Sequence, residues 1–487
     1  MTNEIWSLPV LPQGWVWTDF ESISRELKAG GTPLTKVKKY YDDGTIPFVK
    51  IEDIVSSSKY LYDTKTRITE QGLRNSSAWL VPRDSLLYSM YASYGEPIIN
   101  KIEVTTSQAI IAYVPPQGLI ILDYVYYYLK KVRTELTTRG TTQKNLNAQI
   151  VRRIPIPLAP FDEQVRIVAK LEELFACLDA GVEGLQKIKA QLNRYRQAVL
   201  KYAFEGKLTE EWRKIHKDRI EPATKLQERV RQNGKDYVDS LSTNKLALNG
   251  LPEDWSWEKI GDVADLISGQ HIMKEDYNFD QSGLPYLTGP ADFGSQSPII
   301  SKWTTKPKVV AKDGDVLVTV KGAGVGKVNI LDIKEAVISR QLMAIRARHV
   351  RPKFVFYYVQ YIFDHIRKLG SGSTVPGIRR EELLGLPFPF APIAEQNQIV
   401  NGVENRVQVA VEVQRILARS LKQTENLRQG ILKSAFEGKL VPQDSSDEPA
   451  DKLLMRIKEE RAKSEGEKDI NKKKNKPKQL ELPTYVK

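Results

Sequence analysis

A hexapeptide near the middle of the chain, Ala203-Phe204-Glu205-Gly206-Lys207-Leu208, recurs as Ala435-Phe436-Glu437-Gly438-Lys439-Leu440, 232 residues later. The same offset relates Ile154-Pro155-Ile156-Pro157-Leu158-Ala159-Pro160 to Leu386-Pro387-Phe388-Pro389-Phe390-Ala391-Pro392, and Glu163-Gln164 to Glu395-Gln396. Gly140–Leu146 likewise matches Gly372–Ile378. Upstream the offset drifts to 240, where Leu11-Pro12-Gln13-Gly14-Trp15 matches Leu251-Pro252-Glu253-Asp254-Trp255. Solenoid repeats have periods of roughly 20–50 residues, so this period means two copies of a whole domain and its connector. Each copy has a divergent front and a better-preserved back.

The backs read as long helices. No proline interrupts Asp162–Glu205, and apolar residues recur at Ile167, Leu171, Leu174, Leu178, Val182, Leu185, Ile188, Leu192, Tyr195, Val199 and Tyr202. That spacing is close to the heptad period, which keeps a seam facing a partner helix. Gly181 and Gly184 weaken the middle and suggest a kink or a close crossing. The second helix, Ala394–Glu437, is also proline-free; its seam keeps Val403, Ala410, Leu417, Leu427 and Ile431. The simplest partner for either helix is the other, running antiparallel.

The fronts read as mixed α/β. Strands are expected at Ile46–Lys50, Ser85–Tyr91, Gln108–Val114 and Val316–Val320. A helix is expected over Tyr124–Thr137 with Asp123 as N-cap, and its counterpart from Pro352 toward Lys368. Between the halves, residues 209–250 form a polar connector, with a helix expected over Pro222–Leu241. The end of the chain begins helical at Leu453–Lys458 and closes in the basic run Lys472-Lys473-Lys474-Asn475-Lys476, read as disordered.

Composition narrows the chemistry. Apolar residues make up 41%, enough for substantial cores. Cys177 is the only cysteine, which excludes a disulfide framework and a cysteine-rich zinc site within the chain. The four histidines, His216, His271, His349 and His365, lack metal-ligand spacing. Neither a membrane-spanning apolar run nor the basic-then-apolar order of a signal peptide is present, so a cytoplasmic protein is expected. The net charge of +13 favours a polyanionic partner. Its distribution is uneven: +4 over residues 1–160, +2 over 251–392 and +5 over 451–487.

Lys321-Gly322-Ala323-Gly324-Val325-Gly326-Lys327 resembles a phosphate loop, yet Gly326-Lys327 is followed by Val328 rather than Ser or Thr, and by strand-like rather than helical sequence. A hairpin loop fits better, though a loop of this kind could still approach nucleic-acid phosphates. No Ser-His-Asp order, paired-His motif or nuclease-type carboxylate core is evident, so no catalytic constellation emerges.

Candidate nucleic-acid contacts lie in both fronts. Lys36, Lys38 and Lys39 beside Tyr40 form a basic-aromatic cluster, joined by Lys50. Tyr91, Ser93 and Tyr94 occupy the repeat counterpart of the glycine loop. Thr141, Thr142, Gln143 and Lys144, with Ser373 and Thr374 at the equivalent place, are short donors that could hold phosphate or cap the next helix. His271, Lys321, Lys327 and Arg379 complete the set in the second front.

At this point the sequence resembles the specificity subunits of type I restriction-modification enzymes, of the enterobacterial type. The residues that carry the resemblance are Leu-Pro-x-Gly-Trp at 11–15, Leu-Pro-x-x-Trp at 251–255, Ile-Pro-Ile-Pro at 154–157, the two Glu-Gln pairs and the two Phe-Glu-Gly-Lys-Leu endings. The resemblance implies two mixed α/β target-recognition domains, residues 1–160 and 251–392. Two long helices, 161–208 and 393–440, would join them as an antiparallel coiled coil with pseudo-twofold symmetry. A connector at 209–250 and a basic tail at 441–487 complete the division. It further implies double-stranded DNA as ligand, with each front reading half of a bipartite target. Two modification subunits would supply S-adenosylmethionine and adenine methylation; restriction subunits would supply ATP- and Mg-dependent translocation and cleavage. The chain itself would carry no cofactor and no catalysis. The alternatives are a stand-alone DNA-binding or architectural protein with a coiled-coil dimer element, and an ATPase built on Lys321–Lys327.

Overall fold

The computed structural model describes residues 8–90, 95–138, 147–219, 221, 250–294, 297–322, 324–370 and 377–474. The helix expected over 222–241 lies outside the described residues. The chain divides into two compact units: Met1–Glu183 with Leu421–Lys487, and Gly184–Ser420.

In chain order the first front contains β1 (Val16–Asp19), β2 (Glu26–Ala29), β3 (Ile46–Val49), α1 (Ile51–Ser56), β4 (Tyr60–Leu61), β5 (Thr66–Ile68), α2 (Glu70–Arg74) and β6 (Ser85–Ser89). It continues through β7 (Pro97–Asn100), β8 (Thr105–Thr106), β9 (Ile110–Val114), α3 (Leu122–Thr138), α4 (Ala148–Arg152) and β10 (Pro155–Leu158). The first long helix, α5, spans Phe161–Phe204, and α6 (Glu210–His216) comes after it.

The second front contains β11 (Ser256–Lys259), α7 (Ile260–Val263), β12 (Ala264–Ser268), β13 (Leu284–Leu287), β14 (Trp303–Thr304), β15 (Val310–Lys312) and β16 (Val316–Thr319). Then come β17 (Val328–Ile330), β18 (Glu335–Ile338), β19 (Leu342–Ala347), α8 (Pro352–Tyr361), α9 (Phe363–Leu369), α10 (Arg380–Leu384) and β20 (Pro387–Phe390). The second long helix, α11, spans Ile393–Phe436, and α12 spans Ala450–Lys474. Both long helices have 44 residues, related by the 232-residue offset at both ends.

The repeat is legible in the sheets. One sheet runs β2-β9-β6-β7-β4 in the first unit, and β12-β19-β16-β17 in the second; the first four strands correspond, all paired antiparallel. A second sheet runs β5-β3-β8 in one and β14-β13-β18-β15 in the other. Where α8 was expected to run on toward Lys368, the helix breaks at Ile362 and restarts as α9. Asp123 lies inside the first turn of α3 rather than capping it, and meets Lys59 Nζ at 2.6 Å.

The preserved sequence motifs form a joint between each front and two helix segments. Strand β10 pairs antiparallel with β1, aligning Ile156 with Thr18 and Leu158 with Val16. In such a ladder every second residue points its N–H and C=O away from the partner, which is where a proline costs no hydrogen bond. Pro155 and Pro157 occupy those places, and their carbonyls accept from the hydroxyls of Tyr128 and Tyr124, each at 2.5 Å. In the second unit β20 pairs with β11, and Tyr358 donates to the Pro387 carbonyl.

The tryptophan that opens each front donates to the glutamate that opens the next long helix: Trp15 Nε1 to Glu163 Oε2, and Trp255 Nε1 to Glu395 Oε2, both at 2.8 Å. The adjacent glutamines satisfy backbone at the same corner. Gln164 donates to the Ala159 carbonyl at 2.9 Å and Gln396 to that of Ala391 at 2.7 Å.

The Phe-Glu-Gly motif belongs to the other front. Phe204, ending α5, packs its ring on Phe354 and Tyr358 of the second unit, with centroids 5.2 and 5.1 Å away. Phe436, ending α11, packs on Tyr124 and Tyr128 of the first, at 5.1 and 5.0 Å. Gly206 and Gly438 both adopt φ +67°, and a Cβ there would approach Pro252 Cγ to 2.3 Å and Pro12 Cγ to 2.2 Å. Glycine is thus required twice over, by the left-handed backbone and by the proline against it. Each helix therefore starts on its own front and ends in the core of the opposite one.

Within each unit the two helix segments run antiparallel. In the second, Asn193 accepts from Gln414 at 3.0 Å while a Cβ on Gly402 would lie 3.2 Å from Leu208, so one chain advances as the other retreats. In the first, Arg428 pairs with Asp179.

The expected seam is kept in part: Val403, Ala410 and Leu417 of α11 are buried. Ile167, Val168, Leu171 and Phe175 are buried against the first front, and Val199, Leu200, Ala203 and Phe204 against the second. Ile188, Tyr195 and Tyr202, expected in the seam, are 43–54% exposed, as is Leu427 at 54%. A Cβ on Gly181 or Gly184 would meet nothing within 4 Å, so neither marks a close crossing. At the two ends of α5 the apolar stripe is thus a docking surface for the fronts.

The C-terminal stretch is also more structured than expected. Helix α12 reaches Lys474, and Ala450, Leu453 and Ile457 are fully buried in the core of the first unit. Ala450 N–H donates to the Gly14 carbonyl at 2.8 Å, and Arg461 Nη1 to that of Glu21 at 2.7 Å. The apolar triplet at i, i+3, i+7 docks the start of a helix whose sequence is rich in charged residues.

Candidate nucleic-acid interface

Strand register places most described candidates at one end of each large sheet. In the second unit Ser268 aligns with Met343, Thr319 with Leu342 and Val318 with Val328. The segment after β12, the turn before β19 and the β16–β17 loop therefore share one end. His271 lies in the first of these, Arg340 and Gln341 in the second, Lys321 and Lys327 in the third. Arg379 joins them, because Lys321 bridges to Gly377 and Ile378 N–H donates to the Val320 carbonyl at 2.9 Å. All six side chains are exposed.

The glycine loop is a β-hairpin connection: β16 and β17 are antiparallel, and no helix comes after the loop. Its glycines answer packing. Gly326 has φ +87°, and a Cβ on Gly324 would lie 2.5 Å from Pro290 Cγ. A phosphate loop requires a strand, a glycine turn and a helix whose N-terminus faces the phosphate, so the ATPase alternative is set aside.

In the first unit Ala29 aligns with Ile111, and Ser89 with Ile110. The segment after β2, carrying Lys36 and the single 3-10 turn Lys38–Tyr40, shares an end with the turn at Ser107–Ala109. Lys50 comes after β3 at the same end, where Ser107 N–H donates to the Val49 carbonyl at 3.0 Å. Lys50 also caps α1, its N–H donating to Asp53 Oδ2 at 2.8 Å. Thr69 holds the 3-10 turn by donating through Oγ1 to the Lys39 carbonyl at 3.0 Å, and Tyr41 OH donates to the Pro33 carbonyl at 2.6 Å. Lys39 Nζ sits 5.9 Å from the Tyr40 ring. The backbone is thus fixed while Lys36, Lys38 and Lys39 project into solvent.

Among the described residues, Lys36, Lys38, Lys39, Lys321 and Lys327 have no carboxylate within ion-pairing distance, whereas Arg346 pairs with the buried Asp315 at 2.7 Å. Unpaired cations at the end of a rigid sheet suit phosphate contacts, and exposed Gln, Arg and His between them suit base edges. Tyr91, Ser93, Tyr94, Thr141, Thr142, Gln143, Lys144, Ser373 and Thr374 lie outside the described residues. Sequence reasoning passed over Gln108, Arg340 and Gln341. Gln108 and Arg340 are related by the 232-residue offset, in turns that only the strand register brings beside the lysines.

Among the described residues no group of three or more His, Cys, Asp or Glu could hold a metal, and no helix is long and apolar enough to cross a membrane.

Comparison with known proteins bears on the same two regions. The family model for the type I restriction modification DNA specificity domain matches twice, over residues 20–193 and 252–417. A putative type I restriction enzyme MjaX specificity subunit from Methanocaldococcus jannaschii is 25% identical, over 88% of this chain and 94% of its own. The EcoDI specificity subunit of Escherichia coli is 28% identical, over 74% and 81%. The EcoKI specificity subunit of Escherichia coli is 24% identical, over 95% and 99%. A solved structure described as the basis of complex assembly and conformational transition of the type I R-M system superposes with a TM-score of 0.61 and 24% identity. That match covers 89% of this chain and all of the other, and shows the same fold. With two copies of the specificity domain covering most of its length, the chain belongs to the type I restriction-modification DNA specificity family.

Proposed function

We propose that this chain is the non-catalytic, DNA-reading subunit of a type I restriction-modification complex in the cytoplasm. Residues 1–160 and 251–392 each read one half of an interrupted, asymmetric double-stranded target. The observation that carries this reading is the pair of equivalent sheet ends with different side chains. One presents Lys36, Lys38, Lys39, Tyr40 and Gln108; the other presents His271, Lys321, Lys327, Arg340 and Arg379. A duplicated scaffold with non-identical ends recognises two non-identical half-sites. The candidates outside the described residues, Tyr91, Ser93, Tyr94, Thr141, Thr142, Gln143, Lys144, Ser373 and Thr374, belong to the same proposal.

Two modification subunits supply S-adenosylmethionine chemistry at adenine, and restriction subunits add ATP- and Mg-dependent translocation and cleavage. This chain directs both. The two long helices set the separation of the half-sites. Each extends about 66 Å at ~1.5 Å per residue. Four residues inserted after Gly184 and after Ile416, which are related by the repeat offset, lengthen each helix by about 6 Å. The complex is then expected to methylate the same half-sites with a spacer longer by roughly one to two base pairs, at 3.4 Å each. Sequencing of methylated adenines in a host carrying the variant reads the outcome; an unchanged spacer would refute the spacing role.

A further inference from the structure

Equivalent residues of the two copies reach the same place in the two units and solve it differently. In the first unit the Phe175 ring is buried. It lies 5.6 Å from the ring of Tyr127, and the Arg428 guanidinium stacks 4.6 Å over its face. Asp179, one turn further along α5, ion-pairs with Arg428. At the repeat offset, Phe175, Asp179 and Arg428 correspond to Val407, Val411 and Arg196. Tyr127 corresponds to Tyr357, each standing one residue before the tyrosine that packs on a helix-end phenylalanine. The two valines leave the ring's place and the carboxylate's place empty. What remains is an open cavity of about 400 Å³ lined by Arg196, Phe356, Tyr357, Val407 and Val411, among others.

The other charged groups at this cavity are engaged. Lys353 Nζ meets Glu404 Oε1 at 2.6 Å, and Asp332 accepts from Ser297 Oγ at 2.5 Å. Arg196 has no acceptor among the described residues. Burial pulls its guanidinium below the usual arginine range, and burial pushes the facing Tyr357 phenol up to about 12. A half-buried guanidinium without a counter-charge is an unfavourable arrangement that a carboxylate relieves, through two parallel hydrogen bonds matched to its planar fork.

We propose that this cavity receives, from a partner polypeptide, an aromatic side chain together with a carboxylate one helical turn away. The ring takes the place that Phe175 fills in the first unit, between Tyr357 and Arg196, and the carboxylate pairs with Arg196 as Asp179 pairs with Arg428. Residues four apart on a helix lie on one face, so a single amphipathic turn presents both groups. The volume also lies within the range of small-molecule sites, roughly 300–1,000 Å³. A free aryl carboxylate is therefore the outcome to be told apart. Occupation of the cavity does not depend on DNA reading.

A fluorescein-labelled, alanine-rich helical peptide with Phe and Asp four residues apart is titrated against the full chain by fluorescence anisotropy. Saturable binding is expected, weakened at least tenfold by Arg196→Gln. The double variant Val407→Phe/Val411→Asp, which refills the cavity as the first unit does, is expected to bind no peptide and to melt no lower than the parent. If the double variant fails to fold, Arg196→Gln carries the test alone. Absence of saturable binding, equal binding by Arg196→Gln, or equal binding of a peptide with both residues changed to Ala would overturn the proposal. So would saturable binding of 3-phenylpropionate at Arg196 without binding of the peptide, which would identify a small-molecule site instead.

Discussion

The two joints share a tryptophan–glutamate hydrogen bond and differ in what else reaches the glutamate. Glu395 is fully buried and also accepts from Thr209 Oγ1 at 2.6 Å, Arg213 Nη2 at 2.8 Å and Arg213 Nε at 3.0 Å. Glu163 is equally buried, but its Oε1 has no hydrogen-bond partner. The cause is the segment C-terminal to each long helix. At the repeat offset, Thr209 and Arg213 correspond to Val441 and Ser445, which cannot supply a cation. There the chain turns instead, pairs Asp447 with Arg166 at 2.5 Å, and lays α12 on the first unit. Duplication preserved the elements that join a front to a helix start. The segments after the helices differ: one brings Arg213 to its glutamate, the other brings Asp447 to Arg166 and the apolar face of α12 to the first unit.

The largest test of this exchange concerns the helix ends. Phe204→Ala removes a fully buried ring and is expected to cost about 3–5 kcal/mol. The loss should fall on the second unit, although Phe204 ends the helix that the first front begins; Phe436→Ala should do the reverse. Hydrogen–deuterium exchange resolved by peptide reads this directly. Loss of protection confined to a helix's own front would contradict the exchanged packing. Next in size, Leu453→Ala should cost about 2–5 kcal/mol and loosen only the first unit, measured in the same way.

Smaller effects separate the two glutamates. Glu395→Gln leaves the Arg213 guanidinium, only 15% exposed, without its anion, and should destabilise the second unit by about 2–3 kcal/mol. Glu163→Gln should be near neutral or stabilising at pH 7. Burial raises the Glu163 carboxyl above the ordinary glutamate range, with the Trp15 hydrogen bond opposing it. The folded state therefore holds this proton more tightly than the unfolded chain. Its contribution falls as pH rises from the unfolded value, about 4.3, through the raised folded one. Melting curves of parent and variant should converge toward acid pH and separate in the variant's favour toward neutrality. A gap that widens on acidification would refute this sign.

The smallest change in stability, within about 0.5 kcal/mol, is expected for the exposed lysines changed to glutamine. Their effect belongs to binding. Each of Lys36, Lys38, Lys39, Lys321 and Lys327 that contacts a phosphate should lower the salt dependence of DNA binding by the assembled complex by about one. Unchanged slopes in both sets would move the interface elsewhere.

Much of the architecture was open to reading because the duplication marks equivalent positions: Glu163 with Glu395, Phe204 with Phe436, Pro155 with Pro387. What those residues do was not open to reading, since a repeat motif does not say whether its partner lies in its own copy or the other. The heptad count placed Leu174 and Leu178 in the seam and missed Phe175, because near a front the helix packs on that front as well as on its partner helix. It placed Leu427 inside for the same reason. The burial of Ala450, Leu453 and Ile457 was obscured by the lysines around them, three apolar positions being a faint signal in a strongly charged segment. In the candidate interface, the lysines stood out by composition, while Gln108 and Arg340 needed the strand register to join them.

The central claim, that the two fronts read DNA separately, is tested most directly by exchanging residues 251–392 for the equivalent segment of a relative. The aromatic positions of Phe354 and Tyr358 are retained, so that Phe204 keeps its seat. Adenine-methylation sequencing of the host should show one half-site replaced, with the other half-site and the spacer unchanged. Alteration of both half-sites, or of neither, in a chain that folds and assembles would contradict the account.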